Sequence, residues 1–132
     1  MSPERRDADD PQEWLNRARS NLIRAGQHVP GVLLEDLCFD AQQAAEKAVK
    51  AVFLANDAAF PYTHDLARLL TNLVQVGEEI PPDIRRATSL TRFAVFTRYP
   101  GMADPVTAEE HAEAVTIAEA VLAWAERRIQ QT

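Results

Sequence analysis

The sequence is short of cysteine, of glycine, of basic residues and of long apolar runs, and each shortage excludes something. Its one cysteine, Cys38, has no partner for an internal disulfide. Cys38 sits among apolar residues, so an inert buried thiol is expected there. Four glycines in the whole chain cannot build a glycine-rich phosphate cradle. No apolar run approaches the roughly 20 residues that span a bilayer. The opening "MSPERRDADD" lacks the apolar core of a signal peptide. Cytoplasmic placement is the resulting expectation. The formal net charge of -6 and the pI near 5.0 argue against a general grip on nucleic acid, although a local basic patch remains open. Apolar residues never alternate with period two, and no Asn-Gly or Asp-Gly turn occurs, so strands are not expected.

The common catalytic signatures are missing too. His28, His64 and His111 fall one to a region, without the spacing that sets two metal ligands on one helix face, so no metal site is expected. There is no Gly-x-Ser-x-Gly elbow, Cys38 has no histidine near it in sequence, and nothing calls for a cofactor.

What the chain does have is helical periodicity. Its 132 residues suit one domain, and 46% hydrophobic content is enough for a core. Residues 1–9 read as a charged, disordered tail and 10–132 as the folded domain. Asp10 and Pro11 open a first helix, with Glu13 placed for a capping box, Leu15, Ala18, Leu22 and Ala25 as its stripe, and "VPG" as its end. A second helix runs from about Leu33 to about Asn56, striped by Leu34, Leu37, Ala41, Ala45, Ala48 and Val52. Its small residues allow close packing, which makes it the expected central helix. Thr63 can cap a third helix that ends at Gly77. A fourth carries Ile84, Ala87, Leu90, Phe93 and Ala94 and stops near "RYPG". "TAEE" at Thr107 to Glu110 is a capping box for a last helix reaching about Ile129. That helix has two apolar faces. The second, Ile117, Val121 and Trp124, belongs either to a wide core stripe or to a partner. The expected fold is all-α, an antiparallel bundle of four long helices and one shorter one.

The second helix also has a polar edge, in the stretch "LCFDAQQAAEKAVKA". Gln43, Lys47 and Lys50 share a face, and Glu46 and Lys50 stand at i and i+4 in the favourable order for an ion pair. Such an edge is either a solvated helix side or a local anion-binding surface. A second basic cluster, Arg85, Arg86, Arg92 and Arg98, surrounds the fourth helix. Arg98 suits either a helix C-terminus or a forked phosphate contact.

Three segments together resemble the HEPN family of small helical domains: "LCFDAQQAAEKAVKAVFL", "YTHDLARLL" with His64 and Asp65 at a helix start, and "FTRYPGMADPVTAEEHAEAVTIAEAVLAWAERRI". The resemblance covers about Trp14 to Ile129. It implies a helical bundle, commonly a homodimer, and in prokaryotic members a minimal nucleotidyltransferase partner, often within a toxin–antitoxin pair. Nucleotide binding is one role of the family and metal-independent RNA cleavage another. The cleaving members carry an arginine followed, after four to six residues, by a histidine. Here the residues after Arg92 at that spacing include Arg98 and Tyr99 but no histidine, and only three residues separate Arg24 from His28. Arginine is a poor acid or base at neutral pH.

The expectation is therefore a non-catalytic HEPN protein that binds a nucleotide, an RNA phosphate or a nucleotidyltransferase through a polar groove. Its candidate residues are Lys47, Lys50, Arg92 and Arg98 for phosphate, His64 for a hydrogen bond, and Tyr99 for stacking or as a site of nucleotide transfer by the partner. The alternatives are a divergent ribonuclease using His64 with Arg98, and a purely structural dimerisation module.

Overall fold

A computed structural model describes residues 7–95 and 99–130, and every element among them is helical. Asp10 caps α1 (Pro11–Ala25), accepting a 2.8 Å hydrogen bond from the Gln12 amide. The expected tail falls partly outside the described residues, at 1–6. Asp7 to Asp9 form an exposed turn, and the Trp14 indole donates to the Ala8 carbonyl.

The central helix is α2 (Leu34–Ala55), packed against both α1 and α6 (Ala108–Gln130), which also touch each other. Ala41, Ala44, Ala45, Ala48 and Ala51 are all fully buried, so the helices approach closely where the small residues predict it. Cross-contacts fix the directions. Along α1, Trp14, Asn21 and Arg24 meet Lys50, Lys47 and Asp40 in turn, so α1 and α2 run antiparallel. Arg19 pairs with Glu126 and Ala25 meets His111, so α6 is antiparallel to α1 and shares the sense of α2.

Beyond α2, residues 56–65 turn back along it and start α3 (Leu66–Val76) beside Glu46. The cap of α3 is Asp65 rather than Thr63: the Asp65 carboxylate accepts from the Ala67 amide, and the Thr63 hydroxyl accepts from Asp65. Gly77, at φ 114°, ends α3 in the left-handed region that glycine occupies without strain.

The expected fourth helix is broken into α4 (Pro82–Arg85), a 3₁₀ segment (Arg86–Leu90) and α5 (Arg92–Val95). Hydroxyl side chains compete with the helical ladder here. Ser89 Oγ donates to the Arg86 carbonyl, and Thr91 Oγ1 accepts from the Leu66 amide. Ile84, Ala87, Leu90 and Phe93 are buried all the same, because the apolar spacing survives the break. The Thr107–Glu110 capping box is complete, with each residue's amide donating to the other's side chain. Ile117, Val121 and Trp124 of α6 are buried within the one chain, so both apolar faces belong to a wide core stripe. No helix of the described residues is long and apolar enough to cross a membrane.

Candidate functional site

Two polar networks flank α2, and they divide the candidate residues between them. The first lines a groove of about 580 Å³ between α1 and α2. Lys47 reaches across it and donates a 2.7 Å hydrogen bond to Asn21 Oδ1. The Asn21 amide nitrogen in turn donates to Asp40 Oδ1 at 3.0 Å, and the Arg24 guanidinium stands 3.4 Å from the same oxygen. Gln43, Asp36 and the aliphatic side chains of Val29 and Val32 complete the lining. Burial holds the Lys47 ammonium below the usual lysine range. Arg17 and Arg24 add like charge, and Glu46 and Asp40 oppose the shift. A half-buried cation whose hydrogen-bond acceptor is a neutral amide is a group that an anion would stabilise.

The second network is more deeply buried. Glu46 is 3% exposed and Gln42 fully buried. Glu46 Oε2 accepts a 2.9 Å bond from Lys50, and Oε1 accepts from Gln42 at 3.0 Å and faces His64 Nδ1 at 2.8 Å. Burial pushes the Glu46 carboxyl up, but hydrogen bonds from Lys50, Gln42 and His64 and the Lys50 charge bring it below the ordinary value. An ionised carboxylate only accepts, so Nδ1 of His64 carries the proton, and in the neutral ring Nε2 is the bare nitrogen. The His64 side chain as a whole is 65% exposed. Lys50 lies under the Phe60 and Trp14 rings, 5.0 and 6.0 Å from their centroids.

Gln43 joins the two networks. It lines the groove and donates a 2.7 Å bond to Gln42 Oε1. The paired glutamines thus carry a continuous chain of hydrogen bonds from the groove edge through Glu46 to His64.

The structure brings Lys50 and His64 together on Glu46 and sets Lys47 on the groove side. Arg92 is elsewhere, paired with Glu110 at 3.0 Å and stacked 4.3 Å from the centroid of the Phe93 ring. Tyr99 is exposed and lines a neighbouring cleft of about 260 Å³ that includes Leu33 and Asp104 and shares Asp36 with the groove. Arg98 lies outside the described residues. Sequence reasoning missed Asn21, Asp40 and Gln42 altogether and missed Glu46 as the partner of His64. A signal existed in part: Asn21 interrupts the apolar stripe of α1, and Gln42, Glu46 and Lys50 repeat every four residues. Among the described residues, no group of three His, Cys, Asp or Glu side chains is placed to hold a metal ion.

Comparison with known proteins bears on the chain as a whole. The HEPN domain family matches residues 11–128. A crystal structure of the protein TT1696 from Thermus thermophilus is similar at 32% sequence identity and a TM-score of 0.75, covering 89% of this chain and 97% of that one. No curated protein matches the chain.

Proposed function

The chain belongs to the HEPN family, and on that premise we propose that it is a phosphate-binding module whose ligand, a nucleotide or an RNA phosphate, enters the α1–α2 groove. The observation that carries this reading is Lys47: a cation half-withdrawn from water at the wall of a 580 Å³ groove, its hydrogen bond spent on a neutral amide. Arg24, with a 67% exposed side chain, stands at the same groove beside Asp40 and adds positive charge at its edge. The aliphatic side chains of Val29 and Val32 in the lining offer a base or sugar an apolar surface. A calorimetric titration with a mononucleotide and with a short single-stranded RNA tests the proposal. Saturable binding that weakens at least tenfold in Lys47→Ala supports it, since about 1.4 kcal/mol is a modest loss for a charge-assisted contact. A flat titration with both probes contradicts it. In this reading the module serves as one half of a pair with a nucleotidyltransferase, as in toxin–antitoxin systems, and exposed Tyr99 is the side chain open to that partner.

A second reading, a divergent metal-independent ribonuclease, is favoured by one observation. The Glu46–His64 hydrogen bond engages Nδ1 of an exposed imidazole, which leaves Nε2 as the nitrogen that could serve as a general base. Paired with Arg98, it would take the proton from an RNA 2′-hydroxyl while the guanidinium stabilises the charged phosphate. This reading needs cleavage without added metal, lost in both His64→Ala and Arg98→Ala. Cleavage at the parent rate by either purified variant rules it out.

A further inference from the structure

Among the described residues, the groove is lined by two cations, Arg24 and Lys47, and two carboxylates, Asp36 and Asp40, so the formal charge of that lining is zero. Asp40 is the better placed of the acids. It is buried, with 8% of its surface exposed, and a single oxygen, Oδ1, takes the Asn21 amide at 3.0 Å and faces Arg24 at 3.4 Å. Through Asn21 the same carboxylate is linked to Lys47. Arg24 is thus paired directly with Asp40, while Lys47 is linked to it through an amide and also feels the charge of Glu46.

A buried carboxylate in that position does two things to an incoming anion. It competes for Arg24, and it repels charge that comes near Lys47 in a region where water screens poorly. Attraction to the cations and repulsion by the carboxylates both scale with the ligand's charge, so in a lining of zero formal charge each added charge brings little net Coulomb gain and a further desolvation cost. We propose that Asp40 is a resident counter-anion that restricts the groove to singly charged phosphodiesters and excludes polyphosphates. The inference rests on the proposed phosphate-binding role of the groove and narrows its ligand class. A phosphodiester meets Lys47 with one charge and leaves the Arg24–Asp40 pair in place. Its flanking ribose hydroxyls suit Asp36, whose exposed carboxylate accepts no hydrogen bond from another described residue, and the amide of Gln43. A nucleoside triphosphate gains the same contact with Lys47 and meets Asp40 with several charges.

The test is a calorimetric titration at fixed ionic strength with two probes, the dinucleoside monophosphate adenylyl-(3′→5′)-adenosine and ATP without metal. The proteins are the parent chain, Asp40→Asn and Lys47→Ala. Asparagine keeps the shape of Asp40 and an oxygen for the Asn21 amide, so the fold is retained, as a thermal melt checks. The parent chain is expected to bind the dinucleotide more tightly than ATP. Asp40→Asn is expected to tighten ATP roughly tenfold and to change the dinucleotide less than about threefold. The parent comparison stands without any variant: a parent chain that prefers ATP overturns the inference. So does Asp40→Asn if it leaves the ratio of the two affinities unchanged while Lys47→Ala weakens both. If neither probe binds, or if Lys47→Ala changes nothing, the groove is not a phosphate site and the inference falls with the proposed function.

Discussion

His64 Nδ1 lies 2.8 Å from Glu46 Oε1, so the exposed imidazole at the start of α3 is oriented by a carboxylate buried in α2. The carboxylate is shared with Lys50, at 2.9 Å. Removing one member of such a buried pair leaves the other charge without compensation, which costs far more than the pair contributes in net stability.

Glu46→Gln is therefore expected to lower stability at neutral pH by about 3 kcal/mol, because Lys50 stays buried without its counter-charge. The pH dependence has a definite sign. The Glu46 carboxyl is held below its unfolded value of 4.5, so its contribution is fully present above that pH and is lost as pH falls through the lower folded value. Chemical denaturation across the acid range should show a shallower loss in Glu46→Gln than in the parent chain. An equal acid slope in both would show that Glu46 is not the titrating group.

Lys47 and Lys50 are the only lysines in the sequence, which makes amine chemistry unusually selective. Lys47 is half-buried with its ammonium held below the usual range, whereas Lys50 is buried, ion-paired and covered by two rings. A mild acylating reagent at slightly alkaline pH should modify Lys47 several times faster than Lys50, as peptide mass spectrometry would show. Faster modification of Lys50 would contradict the assigned environments.

Cys38 should be silent under the same conditions. Burial pushes its thiol up to about 12, with Arg92 opposing and Glu110 and Glu35 adding to the rise. At pH 8 that leaves roughly one thiolate in ten thousand. A disulfide reagent should react with it only after denaturation, and prompt reaction of the native protein would show that the α2 core opens readily.

At the far end of α2, Arg128 grips buried Glu78 with Nε at 2.6 Å and Nη2 at 3.3 Å, and Asn56 adds a longer contact at 3.4 Å. Arg128→Ala should destabilise the chain by about 1–3 kcal/mol, because Glu78 loses its charged donor. Arg128→Lys should restore only part of that, since lysine cannot reproduce the fork. Urea titrations of the three proteins would decide it, and full rescue by lysine would mean that charge alone matters.

The fold was legible because its dominant signals are local. Apolar residues at three- and four-residue spacing gave α1, α2, α3 and α6, and Asp10, Gly77 and the Thr107–Glu110 box marked ends that the structure keeps. The break between Arg85 and Arg92 was not legible. Thr91, at the point where the helix resumes, accepts a bond from Leu66, a residue 25 positions earlier, and local spacing shows no such contact. The candidate site was half legible for the same reason. The Glu46–Lys50 pair follows from spacing on one helix, but its burial depends on Trp14 and Phe60 from other segments. Asn21 meets Lys47 and Asp40 only because α1 lies antiparallel on α2, a relationship that no local pattern encodes. Arg92 was grouped with the phosphate candidates by charge, while the fold spends it on Glu110.

The central claim, that the α1–α2 groove binds phosphate through Lys47, is tested most directly by lysine-resolved NMR. Reductive methylation with ¹³C-formaldehyde labels the two lysines and the N-terminal amine, and adenylyl-(3′→5′)-adenosine is then titrated in. The account predicts a saturable shift of the Lys47 methyl resonance, with Lys50 held still by Glu46. A titration that leaves Lys47 unmoved, or that moves Lys50 instead, would contradict it.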